Sequence, residues 1–77
     1  MKDKLHAISV RDICSARGLF DTPELNTVLL LNDLGINYLP DLAQYSSVRC
    51  LHLENNRISD ISSLSGLHHL ETLILRV

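Results

Sequence analysis

The chain repeats itself every 22 residues, and no other property constrains its fold as tightly. With Asn26–Ser47 laid on Val48–His69 and on Leu70–Val77, Leu29, Leu51 and Leu73 share one register, and Leu31, Leu53 and Leu75 share another. Ile36 then falls with Ile58, Leu39 with Ile61, Leu42 with Leu64 and Tyr45 with Leu67. A unit this short cannot bury an apolar face alone. It acquires a core only by stacking on its neighbours.

Within each unit the pattern changes period. Leu-x-Leu alternates as a short strand does, with both leucines on one face. The stretch Ile58–Leu67 spaces its apolar residues by three, which predicts a 3₁₀ or short helical return on the convex side. Between them, Asn56 is expected to hold the tight turn that follows it through its amide and to tolerate left-handed backbone. Val48–Ile58 is the one complete unit. The first has Leu34 and Gly35 where the turn asparagine would stand, and the sequence stops one residue before a third would fall. The array is therefore expected to be part of a longer one.

Upstream, residues 1–8 carry charge but little periodicity and are expected to be flexible. Residues 9–25 predict a helical N-terminal cap. Ser9 is the N-cap, with Asp12 three residues on for an acidic capping box. Val10, Ile13, Cys14 and Arg17 recur at helical spacing, and Gly18 closes the helix. Leu19 and Phe20 are expected in the core. Thr22 or Asp21 caps a second helical turn, with Pro23 at its first position and Glu24 beside it. The expected architecture is α/β: short parallel strands in a solenoid, residues 26–47, 48–69 and a partial 70–77, behind a helical cap.

Charge and chemistry narrow the function. Seven basic against nine acidic residues gives −2, split as +2 over residues 1–20 and −4 over 21–77. No basic stripe suggests nucleic acid, and no apolar run approaches the roughly 20 residues of a membrane span. Cys14 and Cys50 are too few for a disulfide framework and are expected as free thiols in a cytoplasmic protein. His68 and His69 are adjacent and point apart, and His6 and His52 lie elsewhere, so no metal or other cofactor is expected. Nucleophile elbows, glycine-rich phosphate loops and CxxC pairs are absent, which argues against an enzyme.

The remaining candidates are strand residues that alternate with the inward leucines. Three cross-strand ladders are expected on the concave face: Val28–Cys50–Thr72, Leu30–His52–Ile74 and Asn32–Glu54–Arg76. Leu30, Asn32, Cys50, His52, Glu54, Ile74 and Arg76 are the expected protein-binding residues. Glu54 is expected to pair with Arg76, and Cys50 to be a small filler with no cationic neighbour.

The period and the turn N-x-I-x-x-I-x-x-L (Asn56, Ile58, Ile61, Leu64) resemble the 22-residue, phosphatase-regulator-like class of leucine-rich-repeat proteins. Within that class, L-F-D-T-P-E-L-N (Leu19–Asn26), L-x-L-x-x-x-G (Leu29, Leu31, Gly35) and Y-x-x-V-R-C-L-x-L-E-x-N-x-I (Tyr45–Ile58) are similar to the leucine-rich dynein-arm assembly factors of ciliated cells. The resemblance implies a non-enzymatic scaffold for preassembling dynein arms in the cytoplasm, for cilia or flagella, with dynein subunits and chaperones as partners. A phosphatase-regulatory subunit, a spliceosomal leucine-rich adaptor and a fragment inactive alone are the alternatives.

Overall fold

The computed structural model describes residues 9–76. The expected flexible segment 1–8 lies outside them. The elements run α1 (Val10–Ala16), a 3₁₀ turn (Pro23–Leu25), β1 (Val28–Leu30), β2 (Cys50–His52), a second 3₁₀ turn (Ser62–Gly66) and β3 (Thr72–Ile74). The strands form one parallel sheet in the order β1-β2-β3. Its register is 22 throughout: Val28, Leu29 and Leu30 stand opposite Cys50, Leu51 and His52, which stand opposite Thr72, Leu73 and Ile74.

The period extends to individual hydrogen bonds. Arg49 N donates to Thr27 O at 2.7 Å and Glu71 N to Arg49 O at 2.8 Å. Beyond the strands, Asp33 N donates to Glu54 O at 3.0 Å and Asn55 N to Arg76 O at 2.7 Å. On the return path, Tyr45 N to Leu42 O is matched by Leu67 N to Leu64 O, both at 2.9 Å. The helical return is realised only in the second repeat, at Ser62–Gly66. There Asp60 Oδ1 accepts from Ser62 N at 3.0 Å, and these hydrogen bonds hold its carboxyl below the usual range. The first repeat returns through turns without a helix.

Leu29, Leu31, Leu51 and Leu53 are fully buried, as are Val48 and Cys14. Burying one leucine contributes roughly 1.5–3 kcal/mol, so this block dominates the fold. Exposure rises across the sheet: Leu73 is half-buried, and Leu75 is 38% exposed where its counterparts Leu31 and Leu53 are at 0%.

Helix α1 forms as expected and packs Val10 and Cys14 into the same cluster. Seven residues are too few to hold a helix in water, so packing sustains it. Ser9 Oγ accepts from Asp12 N at 3.2 Å, but no reciprocal bond from Ser9 N to Asp12 completes the capping box. At the C-terminus Leu19 N donates to Cys14 O at 2.7 Å and Gly18 N to Ser15 O at 3.3 Å, with Gly18 at φ 77. This is a full Schellman closure, and its left-handed residue favours glycine.

Two expectations in this region fail. Phe20 is 58% exposed instead of buried. Neighbouring residues of extended chain point to opposite sides, and Leu19 takes the inward position, so Phe20 faces out. The Asn26 amide fixes that choice: its Oδ1 accepts from Phe20 N and its Nδ2 donates to Phe20 O, both at 3.0 Å. The 3₁₀ turn starts at Thr22 with no side-chain cap from Thr22 or Asp21. Pro23, buried and lacking an N–H, removes one of the donors that a cap would serve.

The packing of α1 makes stability depend on alkali. Burial pushes the Cys14 thiol above its ordinary value of 9.0, against a hydrogen bond with Tyr45 that lowers it. Burial likewise raises the Tyr45 phenol above 10.0. Both groups fold neutral. Their contribution is complete below the unfolded value and is lost as pH climbs toward the raised folded one, because the unfolded chain deprotonates first. Thermal melts should therefore show a melting temperature steady from about pH 7 to 8.5 and falling beyond about pH 9, with Cys14→Ala flattening the onset of the decline. A melting temperature that rises between about pH 9 and 10.5 would contradict the buried pair.

Candidate functional site

The 22-residue register puts Leu30, Cys50, His52 and Ile74 on the strands, all half-buried, while half-buried Asn32 and Glu54 and exposed Arg76 lie just beyond the strand ends. This follows from the period of two: with Leu29, Leu51 and Leu53 turned inward, Leu30, Cys50 and His52 must turn outward. The ladder Leu30–His52–Ile74 is in register across all three strands.

The polar contacts on this face differ from expectation. Glu54 does not pair with Arg76. Its Oε2 lies 3.4 Å from His52 Nδ1, and that histidine, two residues earlier on the same side of the strand, reaches it first. The other ring nitrogen, His52 Nε2, is 3.5 Å from Cys50 Sγ. Cys50 thus has a histidine ring beside it on the same strand. The cross-strand ion pair that does form is Arg49–Glu71 at 3.9 Å, between largely exposed side chains, and such pairs contribute little.

Arg17 is a member of the site that no spacing rule indicated. Its Nη1 donates to Leu30 O at 2.7 Å and to Asn32 Oδ1 at 3.2 Å. The guanidinium occupies an acceptor on the outer edge of β1, where an unpaired strand would otherwise invite another chain. Asn32 Nδ2 donates to Asp33 Oδ2 at 2.6 Å, so the Asn32 amide is engaged at both ends.

Asn56 is 3% exposed and makes the densest set of side-chain bonds among the described residues, but not to the turn that follows it. Oδ1 accepts from Leu34 N at 3.0 Å and Ile36 N at 3.3 Å, while Nδ2 donates to Leu31 O at 2.9 Å. All three partners belong to the preceding repeat. Nδ2 also reaches Leu53 O at 3.1 Å and Glu54 O at 3.5 Å. The amide therefore joins one repeat to the previous one. Leu34 can stand at the same register of the first repeat, since no repeated turn precedes it there. The left-handed residue is Asn55 at φ 62, matched 22 residues earlier by Asp33 at φ 59. Both types tolerate that backbone, and their shared register was visible in the sequence.

Among the described residues no group of three His, Cys, Asp or Glu is arranged to hold a metal ion. Neither does any described helix have the length and apolarity to cross a membrane. Cys14 and Cys50 are both free.

Residues 46–76 match the family of Leucine Rich repeats (2 copies). The chain is 40% identical over 55 residues, 71% of its length, to the dynein axonemal assembly factor 1 homolog of Aedes aegypti. It is 37% identical over 51 residues, 66% of its length, to that of Drosophila erecta, and 39% identical over 51 residues to that of Drosophila pseudoobscura pseudoobscura. The matched stretch spans 5% of the mosquito protein and 3% of each of these two fly proteins. No solved structure is a significant match. Residues 46–76 are leucine-rich repeats, within a chain similar over about two thirds of its length to dynein axonemal assembly factor 1 homologs.

Proposed function

We propose that the chain is part of a non-enzymatic interaction scaffold for the cytoplasmic preassembly of dynein arms, destined for cilia or flagella. Its binding surface is the open, concave face of a repeat solenoid. Helix α1 and the Pro23 turn close the N-terminal end, shielding Leu29 and Leu31 from water. Dynein subunits and the chaperones that mature them are the partners.

The ladder Leu30–His52–Ile74 carries this reading. Two half-buried aliphatic side chains flank a histidine on a sheet face that no described element covers. Apolar surface left in water on a regular, rigid platform is what a partner's side chains can bury. Cys50, Glu54, Asn32 and Arg76 supply a polar rim around it, and rim polarity selects partners more than it adds affinity.

Tagged chain incubated with extract of ciliated cells should retain dynein heavy chains and chaperones. The double variant Leu30→Asp/Ile74→Asp should lower that retention at least about tenfold, since charges placed at the desolvated centre of an interface cost more than about 1.4 kcal/mol. The melting temperature should change little, because both side chains already contact solvent. Equal retention by the two proteins would remove the open face as the binding surface. Recovery of a phosphatase catalytic subunit or spliceosomal proteins, with no dynein component, would redirect the function.

A further inference from the structure

We infer that Cys50 is a nucleophilic thiol with His52 as its general base, forming a modification site for soft electrophilic carbon such as a haloacetamide or an α,β-unsaturated carbonyl. The string C-L-H-L-E places Cys50, His52 and Glu54 at alternate positions, so all three side chains leave the same face. They connect in line: Sγ to Nε2 at 3.5 Å, then Nδ1 to Oε2 at 3.4 Å. A nucleophile beside a base that is oriented by a third group is the arrangement that activates thiols.

The proton positions follow from the chemistry of the groups. A carboxylate only accepts hydrogen bonds, so Nδ1, which faces Glu54, must carry the ring hydrogen. Nε2 then presents its lone pair to the Cys50 thiol. The second carboxylate oxygen, Oε1, is buried without a partner among the described residues, so no competing donor draws Glu54 away from the ring. All three residues are half-buried, which shields the line from bulk water yet leaves it open to a small reagent.

In the reaction with iodoacetamide, the Cys50 sulfur attacks the methylene carbon. The S–C bond forms, the C–I bond breaks and iodide leaves. The thiol proton passes to His52 Nε2 and from there to water. Neither oxidant nor reductant is required. Cys14 provides an internal reference, being fully buried beside Tyr45.

The test is alkylation of the full chain by iodoacetamide at fixed neutral pH, with each cysteine followed by peptide mass spectrometry. Cys50 should react at least about tenfold faster than Cys14. His52→Asn should slow Cys50 by about tenfold, below the ~10²-fold of an enclosed enzyme site because the face is open. Glu54→Gln should slow it several-fold, since an amide does not hold the ring in one tautomer, and neither variant should change the Cys14 rate. Cys50 reacting equally fast in wild type and His52→Asn would overturn the assignment, and so would Cys14 reacting first. Accelerated Cys14 labelling would reveal an unfolded variant. In that event Glu54→Gln decides: a slowed Cys50 with slow Cys14 supports the base, and an unchanged Cys50 removes it.

Discussion

Asn56→Ala should be among the most destabilising single substitutions in this chain, costing about 3–5 kcal/mol. The side chain is buried and serves two donors, Leu34 N and Ile36 N, and three carbonyls, those of Leu31, Leu53 and Glu54. Alanine takes the partner from Leu34 N, Ile36 N, Leu31 O and Leu53 O, while Glu54 O keeps its bond from Asp33 N, and a buried polar group left unpaired costs about 1–3 kcal/mol. Some are recovered by water entering the cavity, which keeps the total below the simple sum. A domain of this size is stable by roughly 4–12 kcal/mol, so the loss removes a large share of it. Urea unfolding followed by circular dichroism measures it directly. Asn55→Ala is the control, because that residue contributes backbone tolerance at φ 62 rather than bridging bonds. It should cost about 1 kcal/mol, and Asn55→Gly close to nothing. Equal losses for Asn56→Ala and Asn55→Ala would mean that the turn itself, and not the bridge between repeats, is what the asparagine stabilises.

Leu51→Ala should follow closely, at about 2–5 kcal/mol. Leu51 has no exposed surface and sits on the central strand, between Leu29 and Leu73 in register. Its removal opens a cavity that two flanking ladders restrain from collapsing. The melting temperature should drop by at least about 8 °C, given the 4–8 °C per kcal/mol of a small domain. Leu73→Ala, at the half-buried third position of the same ladder, should cost less than half as much. Matching effects at the two positions would show that the third strand is as deeply packed as the second.

The repeat register, the inward leucines of the first two strands, α1 with its Ser9 and Gly18 termini, and the ladders Val28–Cys50–Thr72 and Leu30–His52–Ile74 are legible in the sequence. Each rests on a short-range period, two for a strand, 3.6 for a helix or 22 for the unit, and periods survive without coordinates. Where the structure departs from these periods, the cause is different. Hydrophobicity alone puts Phe20 in the core, whereas the Asn26 amide, six residues away, decides which side of the backbone faces in. The Asn26 signal was present as a polar residue at the register of Val48 and Leu70. Strand pairing alone sets Glu54 opposite Arg76, but His52, two residues earlier in the chain, lies within 3.4 Å. Arg17 carried no local signal, since its acceptor on Leu30 is 13 residues away across the Pro23 turn.

By itself the sequence determined which residues share a face and how often the pattern recurs, because both are properties of spacing along one chain. Tertiary structure alone decided which polar groups satisfy one another. The Asn56 bridge to the preceding repeat and the Arg17 contact at the β1 edge depend on distances of 2.7–3.3 Å set by packing. Each bond goes to whichever partner arrives within reach when the leucines stack. Hydrophobic burial is nearly indifferent to direction and so can be read as a pattern. Hydrogen bonds are directional and short, and only the packed molecule fixes them.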